Sequence, residues 1–138
     1  MGTRNQQVRG SRSFEISLPP SRWIGGVARR ALENLDLPHE ALENAQLILS
    51  ELLSNSVRHA RLSRFDQIRV TAAVSDGRLR VDVIDGSNVR DALAGAIRPA
   101  PGAESGWGLF LVDRIASRWG SMPGRHWFQL DLAGETDR

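Results

Sequence analysis

From Phe14 the chain alternates Phe14, Ile16 and Leu18 with polar neighbours, the period-two signature of a short strand, and "LPPS" then breaks it. Helical spacing follows: Ile24, Val27, Ala28, Ala31, Leu32 and Leu35 recur every three or four residues, with Ser21 as the expected N-cap and Gly25 and Gly26 weakening the first turns. After "DLPHE" a longer helix is predicted over about 40–60, with Leu42, Ala45, Leu49, Leu52, Leu53, Ser56, Val57 and Ala60 in one stripe. The period returns to two at Ile68, Val70, Ala72 and Val74, then "SDG" turns the chain into Leu79, Val81 and Val83, which predicts an antiparallel hairpin with one covered face and one wet face. Between Asp85 and Gly108 the sequence is rich in glycine, alanine and proline and longer than most connections, as a functional lid is. A helix is expected again from Leu109 through Val112, Ile115, Ala116 and Trp119, capped by Gly120, and "MPG" leads to a last strand with Phe128, Leu130 and Leu132 inward.

Strands apolar on one face, with helices to cover that face, predict an α+β two-layer sandwich with a mostly antiparallel sheet rather than a doubly wound parallel one. The expected organisation is a polar arm over 1–12, a single domain over 13–133 with a lid at about 86–108, and a short tail over 134–138.

Composition narrows the chemistry. The chain has 138 residues, 41% of them hydrophobic and 25% charged, which suits one soluble domain with a core of its own. No apolar run reaches membrane-spanning length and the start is too polar for a secretory signal, so a cytoplasmic location and no membrane partner are expected. Without cysteine there is no disulfide framework and no thiolate nucleophile or ligand. The pI of about 10.8 overstates the basicity. Net charge is only +2, all 18 basic side chains counted as Lys or Arg are arginine, and no lysine or tyrosine deprotonates at moderately high pH. The absence of lysine excludes a P-loop and Schiff-base chemistry. The arginines are scattered and do not interleave with Trp23, Trp107, Trp119 and Trp127, which argues against direct nucleic-acid binding.

Three stretches carry candidate chemistry. In "ELLSNSVRHA" Glu51 and Asn55 stand one helical turn apart beside the apolar stripe, with His59 one further turn on at its border. An amide oxygen suits magnesium and a carboxylate suits a general base; an ordinary solvated helix face gives the same pattern. In "VDVIDG", Asp85 at a strand end can accept a hydrogen bond from an amino group, and Gly86 lets a flat ring approach the backbone, although Asp-Gly also starts ordinary turns. In "ESGWGLFLVDRIASRWG", Gly106 and Gly108 precede a helix, where free backbone N–H groups and the positive end of the helix dipole favour phosphate. The dinucleotide fingerprint fails there, because Leu111 occupies the place of its third glycine. His39, His59 and His126 lack metal-ligand spacing, a core, cap or surface role suits His39 and His126, and no serine, histidine and acid constellation can be assigned from the sequence. Cation site, amino-group acceptor, phosphate cradle and lid together describe a magnesium-nucleotide pocket.

Taken together, the three stretches resemble the N box and the two glycine boxes of the GHKL (Bergerat-fold) ATP-binding superfamily, in particular the anti-sigma-factor serine/threonine kinases of the RsbW and SpoIIAB type. The resemblance runs from about Phe14 to Leu132, closest in the N box and second glycine box. It implies that Glu51 is the catalytic base, that Asn55 ligates the Mg²⁺ of ATP, and that Asp85 with Gly86 receives the adenine. It further implies that Gly106, Gly108 and the N–H groups opening the helix at Leu109 hold the phosphates. Arg90 or Arg98 in the lid would approach the γ-phosphate, an assignment that rests on no motif. The partners implied are a sigma factor, which the protein sequesters, and an anti-anti-sigma protein of the STAS type, which it phosphorylates; a homodimer is implied as well. One departure stands out: the family pattern is commonly Asp-x-Gly-x-Gly, whereas Asp85 is followed by Gly86, Ser87, Asn88 and Val89. That leaves open a second function, a regulatory interaction module on the same fold that binds nucleotide weakly or performs no catalysis.

Overall fold

The computed structural model describes residues 12–21, 23–59, 67–85, 107–122 and 124–132, with only the backbone of Arg58, His59, Trp107, Gly108 and Leu109. Among the described residues five strands form one sheet: β1 (Arg12–Leu18), β2 (Ile68–Ser75), β3 (Arg78–Ile84), β4 (Arg118–Met122) and β5 (Arg125–Asp131). They lie in the order β1-β2-β3-β5-β4 with every neighbouring pair antiparallel. Three helices accompany them: α1 (Ile24–Glu33), α2 (His39–His59) and α3 (Trp107–Ile115). This is the expected α+β arrangement, with the core between sheet and helices.

The register shows how period two becomes a core. Phe14, Ala72, Val81, Phe128 and Trp119 stand side by side across all five strands, on the face that also carries Val70, Val83, Leu79 and Leu130. Against that face pack Ile24, Ala28 and Leu32 of α1 and Ala45, Ile48, Leu49, Leu52 and Leu53 of α2, all buried. The hairpin joining β2 to β3 closes as expected at "SDG": Asp76 and Gly77 have φ of 54° and 73°, the pair of positive values that a tight primed turn requires. Helix α2 begins directly after Pro38, whose carbonyl accepts from the Leu42 N–H at 2.9 Å, and Glu40 lies in the first turn at the positive end of the dipole.

The opposite face is polar, as expected, but not uniformly wet. Asp82 is only 8% exposed. Arg80 holds it with two bonds of 2.8 and 3.1 Å, and Arg125 approaches to 3.6 Å. The Arg80 guanidinium also stacks over the Trp127 ring at 4.2 Å. Beneath that ring lies Gly120, where a Cβ would come within 2.7 Å of the indole nitrogen. Glycine is needed here because the indole lies across the neighbouring strand.

Several expectations are corrected. Ser21 does not cap α1: Trp23 occupies the N-cap, with no side-chain cap bond, and Ser21 Oγ instead accepts from the Trp23 N–H at 3.2 Å, forming the turn before the helix. Val57, assigned to the buried stripe of α2, is 38% exposed, while Ile48, outside that stripe, is fully buried. The third helix stops at Ile115 rather than continuing to Trp119, and Gly120 is a mid-strand residue rather than a cap. The last helical bond runs from the Ala116 N–H to the Val112 carbonyl at 2.8 Å, and the next N–H, of Ser117, already bonds the Gln129 carbonyl of β5 at 2.9 Å. Trp119 faces the core on a strand as it would on a helix, so the two periods coincide at that residue. β4 thus ends at Met122 and β5 begins at Arg125, and β4 is a strand that the periodicity does not predict.

Gly25 and Gly26 do lie in the first turns of α1. A Cβ at Gly26 would meet nothing within 4 Å. Gly26→Ala is expected to stabilise the protein by about 0.5–1 kcal/mol, through lost unfolded-state freedom, and to raise the melting temperature by about 3 °C. An unchanged or lower melting point would show that the turn needs glycine.

Candidate functional site

Asp85 follows β3 immediately, and its N–H donates to the Gly124 carbonyl at 2.9 Å, so the end of the strand is tied to the β4–β5 turn. That turn needs a glycine, because Gly124 has φ of 79°. Continuing the alternation of Leu79, Val81 and Val83 puts the Asp85 side chain on the helix-covered face, where the residue is 4% exposed. A carboxylate so buried is costly unless it faces donors. One is His126, 6% exposed, whose Nε2 stands 3.7 Å from Asp85 Oδ2. On the ring's other side Nδ1 is 3.0 Å from Ser121 Oγ. Of the core, cap and surface roles expected for His126, the structure gives it the buried one, and the fold also assembles a serine, a histidine and an acid that could not be assigned from the sequence. The signal was hidden because Ser121, His126 and Asp85 meet only through the pairing of β3, β5 and β4.

From the helix side, Glu51 and Asn55 lie one turn apart on α2, both half-buried beside the apolar stripe. Ser56, the next residue, is 3% exposed, and its hydroxyl has no hydrogen-bond partner among the described residues. A hydroxyl buried without a partner costs about 1–3 kcal/mol, so it marks a place for a polar ligand or water. In the sequence Ser56 stands only as one member of the apolar stripe of α2. His59 ends α2, with its side chain outside the described residues.

Helix α3 packs against α2 and starts at Trp107, two residues earlier than expected. Gly108 and Leu109 are thus first-turn residues, whose N–H groups have no intrahelical acceptor and lie at the positive end of the dipole. Gly86, Gly106, Arg90 and Arg98, and with them residues 86–106 of the lid expected at about 86–108, lie outside the described residues. Among the described residues no three His, Cys, Asp or Glu side chains gather as a metal site, so a cation here would depend on Asn55, its ligand and water. No described helix is long and apolar enough to cross a membrane.

A concavity of about 390 Å³ lies between α1 and α2, lined by Ile24, Gly25, Leu53, Ser54 and Val57. It explains the exposure of Val57 and occupies a different side of α2 from Asn55.

Residues 22–124 match the model of the histidine kinase-like ATPase domain. No curated protein matches the chain. Among solved structures, the RsbU and RsbW domains of Rv1364c from Mycobacterium tuberculosis superpose with a TM-score of 0.60 at 22% identity, over 87% of this chain. The chain spans 31% of that protein's chain, and at this identity the likeness establishes the fold.

Proposed function

Because the chain belongs to the histidine kinase-like ATPase domain family, we propose that it binds Mg-ATP between the second half of α2, the end of β3 and the start of α3. It transfers the γ-phosphoryl group to a serine or threonine of an anti-anti-sigma partner, and it sequesters a sigma factor. The observation that carries the nucleotide site is the buried Ser56 hydroxyl of α2, next to Asn55 in the chain and without a hydrogen-bond partner among the described residues. A hydroxyl so buried asks for a polar ligand or water in an otherwise apolar layer, and the Asp85 carboxylate at the strand end suits an amino-bearing aromatic base.

The chain's own residues have distinct tasks in this reading. Asp85 accepts the amino hydrogen bond of adenine. Asn55 offers its amide oxygen to the cation, and the first-turn N–H groups of Gly108 and Leu109 face the phosphates. Bound Mg²⁺ supplies charge neutralisation across the phosphates, in a chain that has no lysine for that task. Glu51 takes the proton of the target hydroxyl as its oxygen bonds the γ-phosphorus. The bond from that phosphorus to the β,γ-bridging oxygen breaks, and ADP leaves. Positioning and charge provide most of such catalysis, so one base suffices.

Calorimetric titration tests the site. The wild type is expected to bind ATP and ADP at micromolar concentration only with Mg²⁺, and Asn55→Ala to lose at least tenfold, about 1.4 kcal/mol or more. Wild-type protein that binds neither nucleotide would overturn the reading. It would favour an interaction module on this fold, the alternative to which the departure after Asp85 points. Partner affinity equal in wild type and Glu51→Ala, with no phosphorylated product from either, would support that module.

A further inference from the structure

Across the helix-covered face of the sheet one row runs Ile16, Val70, Val83, His126, Ser121. Three apolar residues give way to two polar ones where the row reaches Asp85. A nearly buried histidine in that row requires a reason beyond packing, since its ring must be satisfied on both nitrogens. The geometry supplies one. A carboxylate only accepts, so the nitrogen facing Asp85 carries the proton; Nδ1 is then the acceptor, and the Ser121 hydroxyl, 3.0 Å away, donates to it. The proton on Nε2 is aimed at Asp85 Oδ2 across 3.7 Å, too long for a hydrogen bond but a favourable contact where little water competes.

We propose that His126, with its tautomer set by Ser121, is the positioning residue that holds the Asp85 carboxylate in the orientation that accepts a purine amino group, and thereby makes the pocket select adenine over 6-oxo purines. This rests on the nucleotide reading above. His126 itself does not touch the base. Its effect is confined to the Asp85 interaction, and therefore depends on whether the nucleotide has an amino group to donate. Ser121 acts one step further back, by denying Nδ1 the proton.

The experiment compares ATP with inosine triphosphate, which lacks the amino group, by titration in the presence of Mg²⁺. For the wild type ATP is expected to bind more tightly. His126→Ala is expected to weaken ATP about tenfold and to change inosine triphosphate by less than twofold. His126→Gln, whose Nε2 can stand where the imidazole Nε2 stands, is expected to recover ATP affinity to within about threefold. In nitrogen-correlated NMR of the ligand-free wild type, His126 should show the Nε2–H tautomer, and Ser121→Ala should shift its populations. Equal loss of both nucleotides in His126→Ala would reduce His126 to a structural residue and overturn the proposal, as would ATP binding unchanged by it. Should His126→Ala not fold, the ATP-to-inosine ratio of Ser121→Ala and His126→Gln, each checked by thermal unfolding, decides the question. Wild-type protein that binds neither nucleotide would instead remove the reading on which the proposal stands, and the proposal with it.

Discussion

Glu51→Gln is expected to lower phosphoryl transfer to an anti-anti-sigma partner by about 10²- to 10⁴-fold while changing the ATP dissociation constant by less than about twofold. Glutamine keeps the size and hydrogen-bonding reach of the side chain and removes its capacity to accept a proton. A positioned general base contributes about that much, roughly 2.7–5.4 kcal/mol of barrier. The split between transfer and binding matters more than the loss, because a substitution that disturbed α2 would weaken both. Glu51 is half-buried at the flank of α2 rather than in its packed stripe, so the fold should tolerate the change. Single-turnover transfer of labelled γ-phosphate measures the first quantity and calorimetry the second. Transfer within threefold of wild type would remove Glu51 from the chemistry.

Phe128→Ala should bring the largest change in stability, about 3–5 kcal/mol, and a correspondingly lower urea midpoint with little change in slope. Phe128 is fully buried and heads the largest such side chains, and in register it lies between Trp119 and Val81 on the central part of the inner face. Its own strand is paired on both sides, with β3 and with β4, so the cavity has little scope to collapse. Against a total stability of about 5–15 kcal/mol, the variant would stand near the threshold of folding. Phe128→Leu, which retains most of the volume, is expected to cost far less, and a loss under about 1 kcal/mol for the alanine variant would mean that the layers can close over the gap.

Most of the architecture could be read from periodicity because each element has one covered face. Phe14, Ile16 and Leu18 alternate, the hairpin over 68–84 alternates around a turn of fixed chemistry, and α2 repeats at helical spacing over its whole length. Periodicity is ambiguous where two periods share residues. Val112, Ile115, Ala116 and Trp119 fit a helix, and the strand that takes over at Arg118 has only Trp119 and Ser121 facing the core, too few to announce a period of two. Of the proposed site, Glu51, Asn55 and Asp85 could be picked out as candidates from residue type and position, because each sits at a place where local structure alone makes a polar residue informative. Ser121 and His126 could not, since their meaning arises from pairing between three strands. Ser56 was read as packing because a small hydroxyl residue in an apolar stripe looks like alanine until its burial and missing partner are seen.

The indole of Trp127, pressed between the backbone at Gly120 and the guanidinium of Arg80, lies on the sheet face opposite Asp85. Its environment is rigid and asymmetric, and the whole thickness of the sheet separates it from the proposed nucleotide. The protein thus carries an intrinsic chromophore whose near-ultraviolet dichroism reports the integrity of the outer face, with its contribution insulated from ligand occupancy on the inner one.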